Sequence, residues 1–338
     1  MRRPSGCVGV LAGICATAML AACGSGASTN GAPSTTAGAG PASGTLVVNG
    51  AGTLATPFGK IIDAFKQQNP GVTVQSRFAG SVELVRGVTQ LNQPVDVLGV
   101  ADSSLIPAQM FGANGTKRFA NWSAGFAANQ ITFAYTDQSK GAAQLTPDNW
   151  YQVLAQPGVR IGRSNPDTDP SGYQALEMLQ LAQDHYHEPN LSAAVLANSP
   201  SGTLVNTETT LLPALQSGQI DYLAIYRSDA LQHHLRYIDL PPQIDLADPA
   251  MASTYGTVSV ATKSGSQTGK PIVYGLTIPT AAPNPAVAEQ FVAFVLGPKG
   301  QQVMREAGFG VVTPAVTDGQ ALPAAVQSLT IPAPGPTH

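Results

Sequence analysis

Three short runs in this chain set hydroxyls and backbone N–H groups at the point where a strand gives way to a helix: Gly52-Thr53, Gly80-Ser81 and Asp169-Pro170-Ser171. Singly, each is the ordinary turn chemistry of a helix cap; together in one α/β chain they point to an oxyanion site, because N–H groups gathered at a helix start attract negative charge. The third run is the most informative. Val159 to Gly162 reads as a strand leading into Ser164-Asn165-Pro166-Asp167-Thr168-Asp169-Pro170-Ser171-Gly172-Tyr173, and Tyr173 to His185 reads as a helix leading out. Asp169 stands where an N-cap belongs, with Pro170 at the first helical position. A carboxylate therefore sits among free N–H groups. Either Asp169 fills the anion's place itself, or it helps to hold something unusual; the local residues leave both readings open.

The elements that must position these turns follow a regular alternation. Thr45 to Val48 is a strand, followed by a helix capped at Thr56 with Pro57 in its first turn and Phe58, Ile61, Ile62 and Phe65 on its buried face. Val72 to Phe78 is the second strand, Ser81 opens a helix through Val82, Val85, Val88 and Leu91, and Val95 to Val100 is the third strand. This β-α-β-α-β series predicts a parallel sheet covered by helices. The pattern restarts at the strand Ile131 to Tyr135. It continues through a helix over Trp150 to Ala155, the Asp169 turn with its helix, and a strand from Ile220 to Tyr226. Tyr237 to Leu240, Thr257 to Ala261 and Ile272 to Ile278 add strands, and Asn284-Pro285 caps a C-terminal helix facing the core through Val287, Phe291, Val292 and Phe294. Ser328 onward reads as a disordered end. Two α/β units joined by extended segments predict two lobes with a cleft between them, and ligands of such sheets bind beyond the carboxyl ends of strands.

The bulk numbers narrow the partners. Only 11% of the 338 residues are charged and the formal net charge is −3, so nothing basic points to nucleic acid. Arg2 and Arg3 followed by the apolar Val8 to Leu20 make an export signal too short to be a stable membrane span. Leu20-Ala21-Ala22-Cys23 resembles the lipobox of bacterial lipoproteins, in which the cysteine becomes the lipidated first residue. All three cysteines (Cys7, Cys15, Cys23) lie in this segment, which leaves the exported part none for disulfides. Gly24 to Ser43, rich in Gly, Ser, Ala, Thr and Pro, reads as a flexible tether. Cleavage before Cys23 leaves 15 basic against 20 acidic side chains, a net of −5. No G-x-S-x-G, H-E-x-x-H or Walker A run is present; Gly265 to Lys270 has the wrong spacing for the last. His185-Tyr186-His187-Glu188 and His233-His234 lack the distant partners that a metal site needs.

Asn49 to Phe58, Phe78-Ala79-Gly80-Ser81-Val82 and Ser164 to Tyr173 together resemble the tungstate/molybdate-binding lipoproteins of ABC importers, in their archaeal-type branch. So do Asn129-Gln130-Ile131 to Tyr135, Ser217 to Tyr226, Gln232 to Pro241 and Tyr274 to Pro279, in order across most of Gly44 to Val316. The resemblance implies an α/β type II periplasmic-binding-protein fold, two lobes joined by two crossover segments with the ligand cleft between. It places lobe I at 44–130 with 267–320 and lobe II at 131–266, after a signal peptide (1–22) and a lipid-anchored tether (23–43) and before a C-terminal tail (321–338). It implies that Gly52, Thr53 and Ser81 face an oxyanion from one lobe, and Asp169, Pro170, Ser171, Glu208 and Tyr226 from the other. Thr53 stands where the family has serine, Ser171 where it has cysteine, and the segment between Asp169 and Glu208 is shorter than in the archaeal relatives.

The two carboxylates are what the resemblance makes sense of. Sulfate and phosphate carry their charge on oxygens around a saturated centre, and a like charge about 4 Å away in a partly buried site costs several kcal/mol. A tungsten or molybdenum centre can expand from four to six oxygen ligands and accept one from Asp169 and one from Glu208, so the same charges exclude the commoner anions. The expectation is a non-enzymatic capture protein without a cofactor, with molybdate or tungstate as ligand. It is a monomer held at the extracytoplasmic face of the cell membrane through Cys23, serving a membrane permease and ATPase. Without the resemblance Asp169 is a plain cap, Glu208 a first-turn acid ahead of the Leu211 to Leu215 helix, favoured by the helix dipole, and Tyr226 a half-buried strand residue. The alternatives are a protein for another oxyanion, sulfate or phosphate, and an extracellular glycan hydrolase using Asp169 and Glu208 as an acid/base pair, against which stand the few aromatics available for a sugar platform.

Overall fold

The computed structural model describes residues 42–112 and 116–333. The signal peptide, Cys23 and the tether up to residue 41 lie outside the described residues. In chain order the first elements are β1 (Ser43–Ala51), α1 (Ala55–Gln68), β2 (Gly71–Ala79), α2 (Ser81–Thr89), β3 (Val97–Val100), α3 (Leu105–Met110) and β4 (Trp122–Ala128). Next come β5 (Ile131–Tyr135), α4 (Trp150–Leu154), β6 (Ile161–Gly162), α5 (Pro170–Tyr186), α6 (Leu191–Leu196), α7 (Leu212–Gln216), β7 (Tyr222–Tyr226), α8 (Arg227–Gln232) and β8 (Arg236–Tyr237). The remainder is α9 (Ala252–Tyr255), β9 (Ser259–Thr262), β10 (Gly265–Thr268), β11 (Val273–Thr277), α10 (Pro285–Leu296), α11 (Pro298–Glu306), β12 (Gly310–Gly319), α12 (Ala324–Gln327) and β13 (Thr330–Pro332).

Seven strands form the larger sheet, in the order β13-β12-β4-β11-β3-β1-β2, and β6-β7-β5-β8 form the smaller one. The expected parallel series holds for β1 with β2 and β3. The sheet as a whole is mixed, because β11 returns from the smaller sheet and inserts antiparallel between β3 and β4. Phe58 and Phe65 of α1 pack edge-on against Phe291 of α10, with ring centroids 6.2 and 5.2 Å apart. The smaller sheet buries Phe133 against Trp150 of α4 at 5.7 Å. These contacts are the apolar faces read from the helical spacing, and burying such rings supplies most of the folding drive.

The chain passes from the larger sheet to the smaller between β4 and β5, and returns ahead of β11. The first crossing is stitched to the returning chain, Asn129 N–H donating to Ile272 O at 3.2 Å and Ile131 N–H to Asp245 O at 2.9 Å, and within the returning chain Ile272 N–H donates to Leu246 O at 2.8 Å. The result is a two-stranded joint between two α/β lobes.

Several sequence expectations are corrected. Thr56 does not cap α1; a 3-10 turn over Gly52–Leu54 precedes it, and the helix starts at Ala55. The second helix stops at Thr89, leaving Leu91 69% exposed. Of the end that read as disordered from Ser328 onward, Thr330–Pro332 instead form β13, which pairs in parallel with β12 at the sheet edge, and residues 334–338 lie outside the described residues. Backbone pairing orders it, a source of order that composition does not register.

Candidate functional site

The N-terminus of α5 forms as its sequence dictates. Asp169 is extended (φ −143°, ψ 133°), Pro170 takes the first turn, and both lie in the positions expected. The Asp169 side chain makes no capping bond to the helix. Its Oδ2 accepts from Ser171 Oγ at 3.0 Å instead, two residues on. Gly172 lets the preceding loop close over this turn, since a Cβ there would lie 2.6 Å from Pro166 N and 2.8 Å from Ser164 O. The cap position is used, but its carboxylate is turned to another purpose.

Glu208 opens a 3-10 turn (Glu208–Leu211) that leads into α7, and its Oε2 accepts from the same Ser171 Oγ at 3.0 Å and from Thr207 Oγ1 at 3.1 Å. Thirty-nine residues of sequence separation thus collapse onto one hydroxyl. Ser164 Oγ also lies 2.6 Å from Ser171 Oγ. A serine has one proton to donate, so Ser171 satisfies one carboxylate at a time while accepting from Ser164. Asp169 additionally takes the backbone N–H of Glu208. Asp169 and Glu208 are 3% and 1% exposed. Burial, and then the charge of Glu208, pushes the Asp169 carboxyl well above the usual range; burial likewise raises Glu208. None of the ion pairs among the described residues brings a cation to either acid.

The other lobe closes down on this pair. Thr53, in the 3-10 turn after β1, is buried and its Oγ1 lies 2.9 Å from Tyr274 Oη of β11. Ser81 is fully buried at the start of α2, where its Oγ accepts from Ala101 N–H at 3.0 Å and keeps its own proton to donate. Val82 and Glu83 N–H donate across the lobes to Thr168 O at 3.1 and 3.2 Å, so these first-turn groups of α2 hold the opposite lobe instead of facing the chamber. Two glycines permit the close approach. A Cβ on Gly80 would stand 2.4 Å from Thr168 O and 2.6 Å from Asn206 O, and one on Gly52 would stand 2.7 Å from Thr207 Oγ1.

Tyr226 ends β7, fully buried, its ring 5.8 Å from that of Tyr274. Its hydroxyl donates to Gln174 Oε1 at 2.6 Å, which leaves its oxygen lone pairs but no proton for a ligand. Asp169, Ser171 and Glu208 therefore meet directly, Gly52 lies against Thr207, and Thr53 and Tyr226 meet through Tyr274, while the hydrogen bond of Ser81 runs within its own lobe to Ala101. Sequence reasoning missed their supports: Ser164, Thr207, Gln174, and the chain from Thr53 through Tyr274 to Asn129, whose Nδ2 donates to Tyr274 Oη at 3.3 Å and to Ser228 Oγ at 2.8 Å. Ser164 and Thr207 could have been found as hydroxyls flanking the two acids; Gln174 and Tyr274 carry no local signal. Asp229 was missed as well. It is 2% exposed, with Oδ2 unpartnered and the charge of Asp169 acting on it. Among the described residues no group of three or more His, Cys, Asp or Glu could hold a metal ion, and no helix is long and apolar enough to cross a membrane.

Two α/β lobes on a doubled joint, meeting over a buried cluster of carboxyls and hydroxyls, have the fold of a type II periplasmic binding protein. The chain belongs to the bacterial extracellular solute-binding protein family, which matches residues 46–310. It is 36% identical over 302 residues to the molybdate/tungstate-binding protein WtpA of Pyrococcus abyssi, covering 81% of this chain and 86% of that one. A solute-binding protein of Petrotoga mobilis is 38% identical over 277 residues, covering 80% and 85%. Among solved structures, the periplasmic molybdate-binding protein of Azotobacter vinelandii matches with a TM-score of 0.54 at 20% identity, covering 78% of this chain and 98% of that one. The sulfate-binding protein SubI of Mycobacterium tuberculosis matches with 0.55 at 16% identity, covering 84% and 89%. At these identities the structural matches speak for the fold alone.

Proposed function

We propose that this protein captures molybdate or tungstate outside the cytoplasm and delivers it to the permease and ATPase of an ABC importer. The observation that carries the reading is the meeting of Asp169 and Glu208 at one serine, sealed from water and without a cation. Two such carboxylates repel a sulfate or phosphate, whereas a molybdenum or tungsten centre accepts one oxygen from each. Thr53 and Ser81 supply hydroxyls for the oxo groups from the facing lobe, Gly52 and Pro170 shape the turns that bring those groups close, and Tyr226 walls the chamber. The likeness to a relative named for molybdate and tungstate supports the same choice. No bond in the ligand is made or broken; the work is affinity and lobe closure, with no cofactor and no catalytic residue.

In this reading lobe I comprises 44–130 with 267–320 and lobe II 131–266. The protein acts as a monomer tethered to the extracytoplasmic face of the membrane through lipidated Cys23. Sulfate is the second reading, since the hydroxyls of Thr53 and Ser81 could equally serve the oxygens of another oxyanion. Calorimetric titration of the purified protein with molybdate, tungstate, sulfate and phosphate separates the two: tight molybdate or tungstate binding with little sulfate binding is expected, and tight sulfate binding without molybdate binding overturns the assignment.

A further inference from the structure

The two acids that meet at Ser171 are not the only carboxyls in the chamber. Asp229, in the first turn of α8, is 2% exposed, and its Oδ2 has no hydrogen-bond partner. A buried, unpaired carboxylate oxygen beside further negative groups is a costly arrangement, and such atoms are uncommon in folded proteins. We propose that Asp229 is a third ligand-contacting carboxyl of this chamber, present there as the neutral acid and donating its O–H to an oxygen of the captured oxyanion. The inference rests on the oxyanion reading above.

The surroundings of Asp229 carry the argument. Asp169 at the start of α5 is the charge acting most strongly on it, and Asp229 in turn acts on Glu208 and on Tyr274 of β11. Geometry places the start of α8 there as well: Ser228, the residue before Asp229, accepts from Asn129 Nδ2 at 2.8 Å, and Asn129 also donates at 3.3 Å to the Tyr274 hydroxyl, which lies 2.9 Å from Thr53 Oγ1. The cations near α8 are engaged elsewhere. Arg227 Nε donates to Tyr237 Oη at 3.1 Å and its guanidinium lies over that ring, while Arg236 of β8 pairs with Asp137 at 2.6 Å and covers Tyr135 of β5. His233 at the far end of α8 has its imidazole pushed toward the neutral form by burial and His234. Tyr226 of β7 is spent on Gln174. Among the described residues no ion pair neutralises Asp229, and a proton is the remaining means. Burial first, then Asp169, pushes the carboxyl up to about 8. A neutral carboxyl is a donor, which is what an oxo group of the anion requires. Because Asp169, Glu208, Thr53 and Ser81 are all at most 3% exposed, the anion enters only when the lobes part. In the wetted, parted form Asp229 returns to an ordinary ionised acid, so capture takes up its proton.

The test is calorimetric titration with sodium molybdate and sodium sulfate in buffers of different ionisation enthalpy, between pH 5 and 8. Wild type is compared with Asp229→Asn, which keeps a donor without a titrating proton, and Asp229→Leu, which has none. Wild type should take up about one proton more per anion than Asp229→Asn, and its affinity should fall about tenfold more steeply per pH unit. Asp229→Leu should bind at least tenfold more weakly than Asp229→Asn at pH 6, with thermal unfolding showing that both variants are folded. Equal proton counts and equal pH slopes in wild type and Asp229→Asn overturn the proposal while leaving molybdate capture standing. Sulfate binding alone overturns the molybdate reading, with the proton count then read on sulfate. Binding of neither anion overturns both.

Discussion

Asp169 shows how one residue can satisfy a local rule and serve a distant purpose. Its backbone caps α5, yet its carboxylate ignores the helix and meets Glu208 at Ser171. Both acids are held above their ordinary values by burial. A carboxyl raised in the folded state lends stability below its unfolded value, and that contribution is lost as pH climbs through the raised value. Glu208→Gln should therefore unfold at a higher temperature than wild type at pH 8, with the difference shrinking toward pH 4. The same change should weaken molybdate binding by about 2 kcal/mol or more, because it removes a buried charged partner. Stability and affinity moving in opposite directions is the signature of a functional pair; parallel loss of both would mark Glu208 as structural. Glu177 offers a control outside the pair. It is 1% exposed with Oε1 unpartnered, while the nearby Lys270 bonds Asp102 at 3.0 Å. Burial pushes it up to about 8, with Lys270 opposing and Asp102 assisting. Glu177→Gln should gain about 2–4 kcal/mol of stability at pH 8, a gain that disappears below the ordinary glutamate value, as read by thermal unfolding across pH. The acid at 169 was legible from its cap position. Glu208 was legible only through resemblance, and Asp229 not at all, since an acid in the first turn of a short helix looks like dipole chemistry wherever it points.

At the scale of elements, legibility followed periodicity. β1, β2, α1 and α5 carry clean apolar spacing and were found, though their ends moved where backbone bonding decided the boundary. β4 was missed because Trp122-Ser-Ala-Gly-Phe-Ala-Ala is small and buried nearly throughout, with no alternation to read. β12 was missed because Pro314 breaks its pattern; the strand tolerates the proline through a register shift between Val311 and Val316. The α5 turn is the element on which the site depends, and Gly172 is its tightest point. A methyl there meets backbone atoms of residues 164–166 at 2.6 to 2.8 Å, so the loop must move and carry Ser164 away from Ser171. Gly172→Ala should accordingly lower molybdate affinity by tenfold or more while the smaller sheet stays folded by far-UV circular dichroism. Unchanged affinity would show that the Ser164–Ser171 contact is dispensable.

The molecule as a whole works only if its lobes meet and part, and the two-lobed plan was readable because the β-α alternation visibly restarts after Tyr135. The doubled joint was not, since the bonds from Asn129 to Ile272 and from Ile131 to Asp245 are backbone contacts between residues more than a hundred positions apart. The closed contact has a chemical consequence that a single methyl can probe. Gly80 sits at the N-cap of α2 with ordinary extended dihedrals (φ −60°, ψ 132°), so alanine there strains nothing within its own lobe. Across the cleft, however, its Cβ would meet two carbonyl oxygens, Thr168 at 2.4 Å and Asn206 at 2.6 Å. Backbone carbonyls cannot rotate aside, and the bonds from Val82 and Glu83 to Thr168 would lengthen with them. Gly52 faces only the hydroxyl ends of Thr207 and Thr209, at 2.7 and 2.8 Å, which can turn away. Gly80→Ala should thus remain folded yet bind molybdate roughly a hundredfold more weakly, about 2.8 kcal/mol, and should fail to compact in solution scattering when molybdate is added. Gly52→Ala should lose less. If Gly80→Ala binds and compacts like wild type, closure does not bring Thr168 against α2, and the chamber would have to be sealed by other contacts. If it alone fails, the last step of capture is the docking of lobe II backbone onto the first turn of α2, and the affinity conferred by Asp169 and Glu208 is realised only once that step is complete.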